Sequence, residues 1–274
     1  MAAFSTDEHN LVILDADHPG FRDTEYRARR NDIAKAALAY RQGDVVPDAH
    51  YTEPEHEVWR TVWRHLSPLH ERFACAAYVD ALGRLEMSRE HIPQLRQINA
   101  QLLPRTGFHM SPVAGLVSAR RFLSSLRDKV FLSTQYIRHH SVPLYTPEPD
   151  IVHELVGHAA TFIHPEFVEL NLAFGHAAAR VAEEHLVALE RVYWYTIEFG
   201  VVQEGGELKA YGAGLLSSFG ELARLGTQEP NMMPLHFDTV AATPYDPTQY
   251  QPTLFVSPSF ETMKHDVLNW LAGL

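Results

Sequence analysis

The chain has 274 residues, 46% hydrophobic and 21% charged. That allows one large domain or two small ones, with a core that needs no disulfide staple. The formal net charge of -11 argues against a nucleic-acid partner, whose phosphates favour a basic face, and the lone cysteine, Cys75, cannot form an internal disulfide. Cys75 reads as a small buried apolar residue in a cytoplasmic protein.

Residues 1 to about 20 read as a loose lead-in that ends in the turn-like His18-Pro19-Gly20. Leu11–Leu14 is too short for a signal peptide or a membrane span, so neither is expected. Residues 23–42, rich in Arg, Ala and Tyr, predict a helix with Gly43 just beyond it. From Glu53 to about Leu85, Val58, Val62, Leu66, Leu69 and Phe73 recur at helical spacing. A further helix starts at Ile92-Pro93-Gln94-Leu95 and ends near Pro104. Residues 105–119 read as loops and short strands, Ala119–Leu126 as a helix, and Val130–Ile137 as a strand or irregular segment.

Pro143, Pro147 and Pro149 force an extended loop. A helix from Asp150 to about Phe162 follows, with Asp150 as N-cap. Two more helices are predicted over 165–180 and 182–199. The small-residue stretch Ala210–Leu222 comes next, and the prolines of 227–258 suit loops and a small sheet. Phe260, Met263, Val267, Leu268 and Leu271 then share one helical face. The expected fold is mainly α with small β elements: a single catalytic domain over residues 15–274, with residues 1–14 outside it.

The sharpest local feature is His153-Glu154-Leu155-Val156-Gly157-His158. Zinc proteases place two histidines four apart on one helical face, with a glutamate as general base. Here they are five apart, about 140° around an ideal α-helix. Both reach one ion if it sits between them, or if the helix distorts near Gly157. Two unrelated histidines on an amphipathic helix are the alternative. Among 34 acidic residues, Glu198 stands out as a carboxylate inside the apolar run Tyr193–Val202. Such a group needs a metal or a partner, an arginine for example. Two histidines and one carboxylate form the facial triad of non-haem iron(II) oxygenases, which leaves coordination positions open.

Six stretches carry a resemblance: Asp15–Phe21, Tyr26–Arg30, Gln135–His139, Tyr145–Asp150, His153–His158 and Lys209–Glu221. In this order they make the chain similar to the pterin-dependent aromatic amino acid hydroxylases, and most of all to single-domain bacterial phenylalanine 4-hydroxylases, from about residue 15 to the C-terminus. The animal enzymes' regulatory domain and tetramerisation helix are not expected. The resemblance implies that His153, His158 and Glu198 are the catalytic iron(II) ligands. It implies a tetrahydropterin as electron donor and dioxygen as co-substrate. Phe122 would stack on the pterin, Gly115 and Val117 would meet it with backbone groups, and Glu154 would lie near pterin and iron. Arg138 would hold the substrate carboxylate with its guanidinium fork. Thr146, Pro149, Trp194, Gly214 and Ser217 would line the amino acid pocket, and Ser217 would also support an iron-ligand histidine.

The family likeness implies ring hydroxylation of an aromatic amino acid, phenylalanine first, then tryptophan or tyrosine. A small-molecule substrate, no nucleic acid, no membrane and a monomer or dimer complete the expectation. A zinc hydrolase built on His153-Glu154 is the competing reading, and a non-catalytic binding protein the third. The chain departs from the family at Leu132, where a polar side chain is usual, at Ala119, at Glu190, and at Ala159-Ala160-Thr161.

Overall fold

The computed structural model describes residues 11–274 and the backbone of the strand β1 (Ala3–Phe4), which pairs antiparallel with β2 (Val12–Ile13). Most of the expected lead-in over 1–14 lies outside the described residues. Among the described residues no helix is long and apolar enough to cross a membrane.

Helix α1 (Thr24–Ala39) starts at an N-cap, Asp23, whose Oδ1 accepts the Tyr26 amide at 2.9 Å. It ends three residues before the expected 42, because Tyr40 turns extended and Arg41–Asp44 forms a separate turn. The helical spacing from Glu53 to Leu85 resolves into two helices, α2 (Glu53–Phe73) and α3 (Ala76–Arg84). The break falls where the Cys75 amide donates to the Ala210 carbonyl at 2.9 Å. Helix α4 (Leu95–Thr106) keeps Pro104 inside its last turn, so the proline does not end it.

Strand β3 (His109–Pro112), helix α5 (Ala119–Ser125) and strand β4 (Val130–Ser133) form a small crossover in which β3 and β4 pair in parallel. Helices α6 (Pro165–Arg180) and α7 (Glu183–Tyr193) follow. The hairpin β5 (Val201–Glu204) and β6 (Glu207–Ala210) was not legible from periodicity. Its turn is Gly205-Gly206, with φ of 63° and 84°, the pair of positive angles that a two-residue hairpin loop favours.

The small-residue stretch becomes α8 (Ala213–Ser217) and α9 (Phe219–Arg224). Strand β7 (Asn231–Pro234), helix α10 (Phe237–Ala242), strand β8 (Thr253–Ser257) and helix α11 (Phe260–Ala272) complete the chain. The larger sheet has the order β6-β5-β8-β7. The architecture is mainly α with small β elements, about 53% helix and 11% strand. One continuous apolar core runs from α2 through α11, and a small satellite of Val12, Leu14, Tyr26 and Ala34 fastens the N-terminal segment to α1.

Candidate metal centre

The segment expected as an α-helix from Asp150 is wound more widely. Residues His153–Ala159 form a π-helix, in which the Ala160 amide reaches back to the Leu155 carbonyl. A helix closed by i→i+5 bonds carries more residues per turn and brings residue i+5 closer to the line of residue i. That winding reduces the angular offset that an α-helix would impose on His153 and His158. The second expected ligand segment does the same: Trp194–Glu198 is a π-helix, and the Phe199 amide donates to the Trp194 carbonyl at 2.8 Å.

The two wide turns converge. The Nε2 atoms of His153 and His158 are 3.1 Å apart, and Glu198 Oε1 lies 3.0 Å from His158 Nε2. Glu198 Oε2 is 3.5 Å from His153 Nε2. Three donor atoms gathered within 4.8 Å of one another can hold one metal ion. Gly157 makes the approach of the neighbouring helix possible, since a Cβ there would meet the Ala213 carbonyl oxygen at 2.7 Å. That contact seats α8 against the first π-helix and brings Ser217 to His153.

The tautomer of His153 follows from Ser217. The serine hydroxyl donates to the Ala213 carbonyl at 2.7 Å, so its lone pair accepts from His153 Nδ1–H at 3.0 Å. Nε2 is then bare and faces Glu198, as a metal ligand must. Burial pushes His153 down to about 4, which favours this neutral ring. Burial alone would raise Glu198, but the two imidazoles beside it hold the carboxyl below its ordinary value. His158 is fixed by packing, its ring 4.5 Å from that of Phe131, and its Nδ1 has no hydrogen-bond partner among the described residues. Two imidazole nitrogens and a carboxylate suit a divalent first-row ion such as iron(II).

A cavity of about 410 Å³ opens over this cluster. Every other site residue that the resemblance implies borders it: Gly115, Val117, Phe122, Arg138, Thr146, Pro149, Glu154, Trp194, Gly214 and Ser217. Phe122 is held edge-on by Phe131 and Tyr193, with ring centroids at 5.3 and 5.9 Å, which fixes the plane of its ring. Glu154 is buried, and burial pushes it up to about 7 although the Thr134 amide and hydroxyl both donate to its Oε1, at 3.0 and 2.9 Å. Thr146 donates its hydroxyl to the Glu148 carbonyl at 2.7 Å, which shapes the proline-rich loop. Among the departures from the family pattern, Leu132, Ala119 and Glu190 also border this cavity.

Two features of the site escaped the sequence. Asp150 does accept the His153 amide at 3.3 Å, as an N-cap should, but its carboxylate also grips Arg138 Nε and Nη2, both at 2.8 Å. Tyr245 stacks on Trp194 at 4.1 Å, in the loop before β8, and Gln251 from the same loop accepts the Trp194 indole N–H at 3.0 Å. Nothing local marks Tyr245, although its setting among Pro244, Pro247 and Pro252 marks an ordered loop.

Comparison with known proteins agrees with this geometry. Residues 8–274 match the family described as biopterin-dependent aromatic amino acid hydroxylase. Phenylalanine-4-hydroxylase of Bos taurus is 44% identical over 265 residues, 95% of this chain and 59% of that protein. Tyrosine 3-monooxygenase of Mus musculus is 44% identical over 275 residues, 97% of this chain and 55% of that protein. The chain thus spans less than two thirds of the length of these relatives. Among solved structures, Chromobacterium violaceum phenylalanine hydroxylase with bound iron(III) and 7,8-dihydrobiopterin has a TM-score of 0.78 at 28% identity, covering 87% of this chain and 90% of that one. Legionella pneumophila phenylalanine hydroxylase has a TM-score of 0.75 at 31% identity, covering 81% and 90%.

Proposed function

Because the chain belongs to the biopterin-dependent aromatic amino acid hydroxylases, we propose that it uses iron(II), a tetrahydropterin and dioxygen to hydroxylate the ring of phenylalanine, giving tyrosine. The observation that carries this reading is the single cavity that joins the triad, the Arg138 guanidinium and the Phe122 ring. Residues 15–274 act as one catalytic domain in this reading.

His153, His158 and Glu198 would hold the iron, and a set of three protein ligands would leave it able to take others. Ser217 keeps His153 in the tautomer that binds through Nε2. Arg138 binds the substrate carboxylate through Nη1, since Asp150 occupies the Nε–Nη2 edge. Thr146, Pro149, Gly214 and the Trp194–Tyr245 stack shape the pocket for the amino acid ring. Phe122 would give the pterin a flat apolar wall, Gly115 and Val117 would offer it backbone groups, and Glu154 would lie near pterin and metal. The bound iron and pterin together supply the electrons that activate dioxygen; the protein supplies position and a dry pocket.

The test is anaerobic loading with iron(II), then air, a tetrahydropterin and phenylalanine, tyrosine or tryptophan in turn, with products identified. Tyrosine formed from phenylalanine in step with pterin oxidation is expected. Preferred turnover of tyrosine would move the assignment towards the second group of relatives. Hydrolysis dependent on zinc, with no pterin oxidation, would overturn it.

A further inference from the structure

We propose that Asp23, His139 and His140 form a second divalent-cation site, separate from the triad, suited to zinc or a similar borderline first-row ion. Apart from the triad, they are the one group among the described residues whose metal-ligating atoms lie within 4.8 Å of one another.

The donors are held from several sides. Asp23 Oδ1 caps α1 by accepting the Tyr26 amide at 2.9 Å, which turns Oδ2 towards His139 Nε2, 3.2 Å away. Tyr26 meets the His139 ring edge-on at 5.0 Å and an interplanar angle of 89°. The same tyrosine donates its hydroxyl to the Ile137 carbonyl at 2.9 Å, so α1 and the segment before His139 move as one. His139 is buried, whereas His140 is exposed and lies 4.2 Å from it between ring centroids. One side of the cluster is therefore fixed, and the other is open to an arriving ion.

Two imidazoles and one carboxylate with a water in the fourth position are a common tetrahedral set for zinc. The proton balance is local. Without an ion, His139 Nε2 carries the proton that faces Asp23, and Nδ1 accepts the Ser141 amide at 3.3 Å. When the cation takes Nε2, that proton goes to solvent and Nδ1 takes one up. The Ser141 hydroxyl, 2.7 Å from Nδ1, then accepts the Nδ1–H bond. The serine thus stands where a ligating histidine needs its outer partner.

Iron-loaded protein is dialysed against micromolar zinc, and iron plus zinc are counted per chain, so that zinc replacing iron at the triad leaves the total unchanged. Two metal ions per chain are expected for the parent. His140→Ala, at an exposed position, and Asp23→Asn, which keeps an oxygen to cap α1, should each hold one. A total of one in the parent overturns the site. A total of two in His140→Ala shows adventitious zinc and overturns it equally. Zinc should also raise the parent's Tm and leave that of His140→Ala unmoved; an equal rise in both counts against the assignment.

Discussion

Arg138 and Asp150 meet edge to edge, with Nε and Nη2 each 2.8 Å from one carboxylate oxygen, in a place where the aspartate side chain has 0% exposure. Burial would raise Asp150, but the guanidinium beside it holds the carboxyl below its ordinary value. The pair stays ionised, and it aims the free guanidinium edge at the cavity. Lysine at 138 would keep the charge, but a point donor cannot both grip the Asp150 carboxylate and reach the substrate through a further N–H. A charge-assisted hydrogen bond contributes roughly 1.5–3 kcal/mol, or about 10- to 150-fold in affinity. Arg138→Lys should therefore raise KM for the amino acid by at least roughly tenfold, with iron content unchanged and pterin oxidation less affected. Steady-state kinetics decide it, and an unchanged KM means that another group captures the carboxylate.

Ser217→Ala leaves His153 Nδ1–H without its partner and frees the ring to turn or change tautomer. Loss of such an outer partner commonly lowers metal affinity by about 10- to 100-fold. An iron titration of the variant should show a drop of that order, and His153→Ala, His158→Ala or Glu198→Ala should abolish both iron retention and turnover. Parent-like affinity in Ser217→Ala would assign the support of His153 elsewhere.

Phe122 is half-buried, with one part of its ring against Phe131 and Tyr193 and another on the cavity. Stacking is worth about 0.5–1.5 kcal/mol beyond area burial, roughly 2- to 13-fold in binding. Phe122→Ala should raise KM for the tetrahydropterin by that factor while iron content stays normal. A fall in stability with an unchanged pterin KM would leave Phe122 as a packing residue alone.

His70 is buried, its Nε2 donates to the Leu216 carbonyl at 2.6 Å, and burial pushes it down to about 4 from 6.5. Between those two values the unfolded chain binds a proton that the folded chain refuses. Its contribution is fully present above pH 6.5 and is lost progressively as pH falls towards 4. Urea unfolding of iron-free protein should show a loss on the order of 1 kcal/mol from this group between about pH 7.5 and 5.5. His70→Gln should flatten that dependence; an identical slope in both proteins would remove His70 as its source.

The parts of the molecule legible in the sequence are those set by local physics. Helices α2 and α11 follow from apolar periodicity, the loop before Asp150 from its prolines, and the triad from the rarity of a carboxylate such as Glu198 in an apolar run. The rest depends on partners distant in the chain. The break at Cys75 needs Ala210, the grip on Arg138 needs both sides of the loop, and Tyr245 is defined by Trp194. The π winding is the instructive case. Spacing showed that two histidines five apart reach one ion if it sits between them or if the helix distorts near Gly157, but not that the wide winding recurs at Trp194–Glu198.

That winding also governs how such a centre can change over generations. A π turn carries one residue more than the α turn it replaces. Deleting one residue between His153 and His158 would restore ordinary winding and bring the histidines four apart, the spacing of zinc proteases. It would also throw the contact of Gly157 with Ala213 out of line. A point substitution here alters one side chain, whereas a one-codon insertion or deletion re-aims a ligand. Apart from its two histidines and Gly157, the segment is constrained more in its length than in its residues.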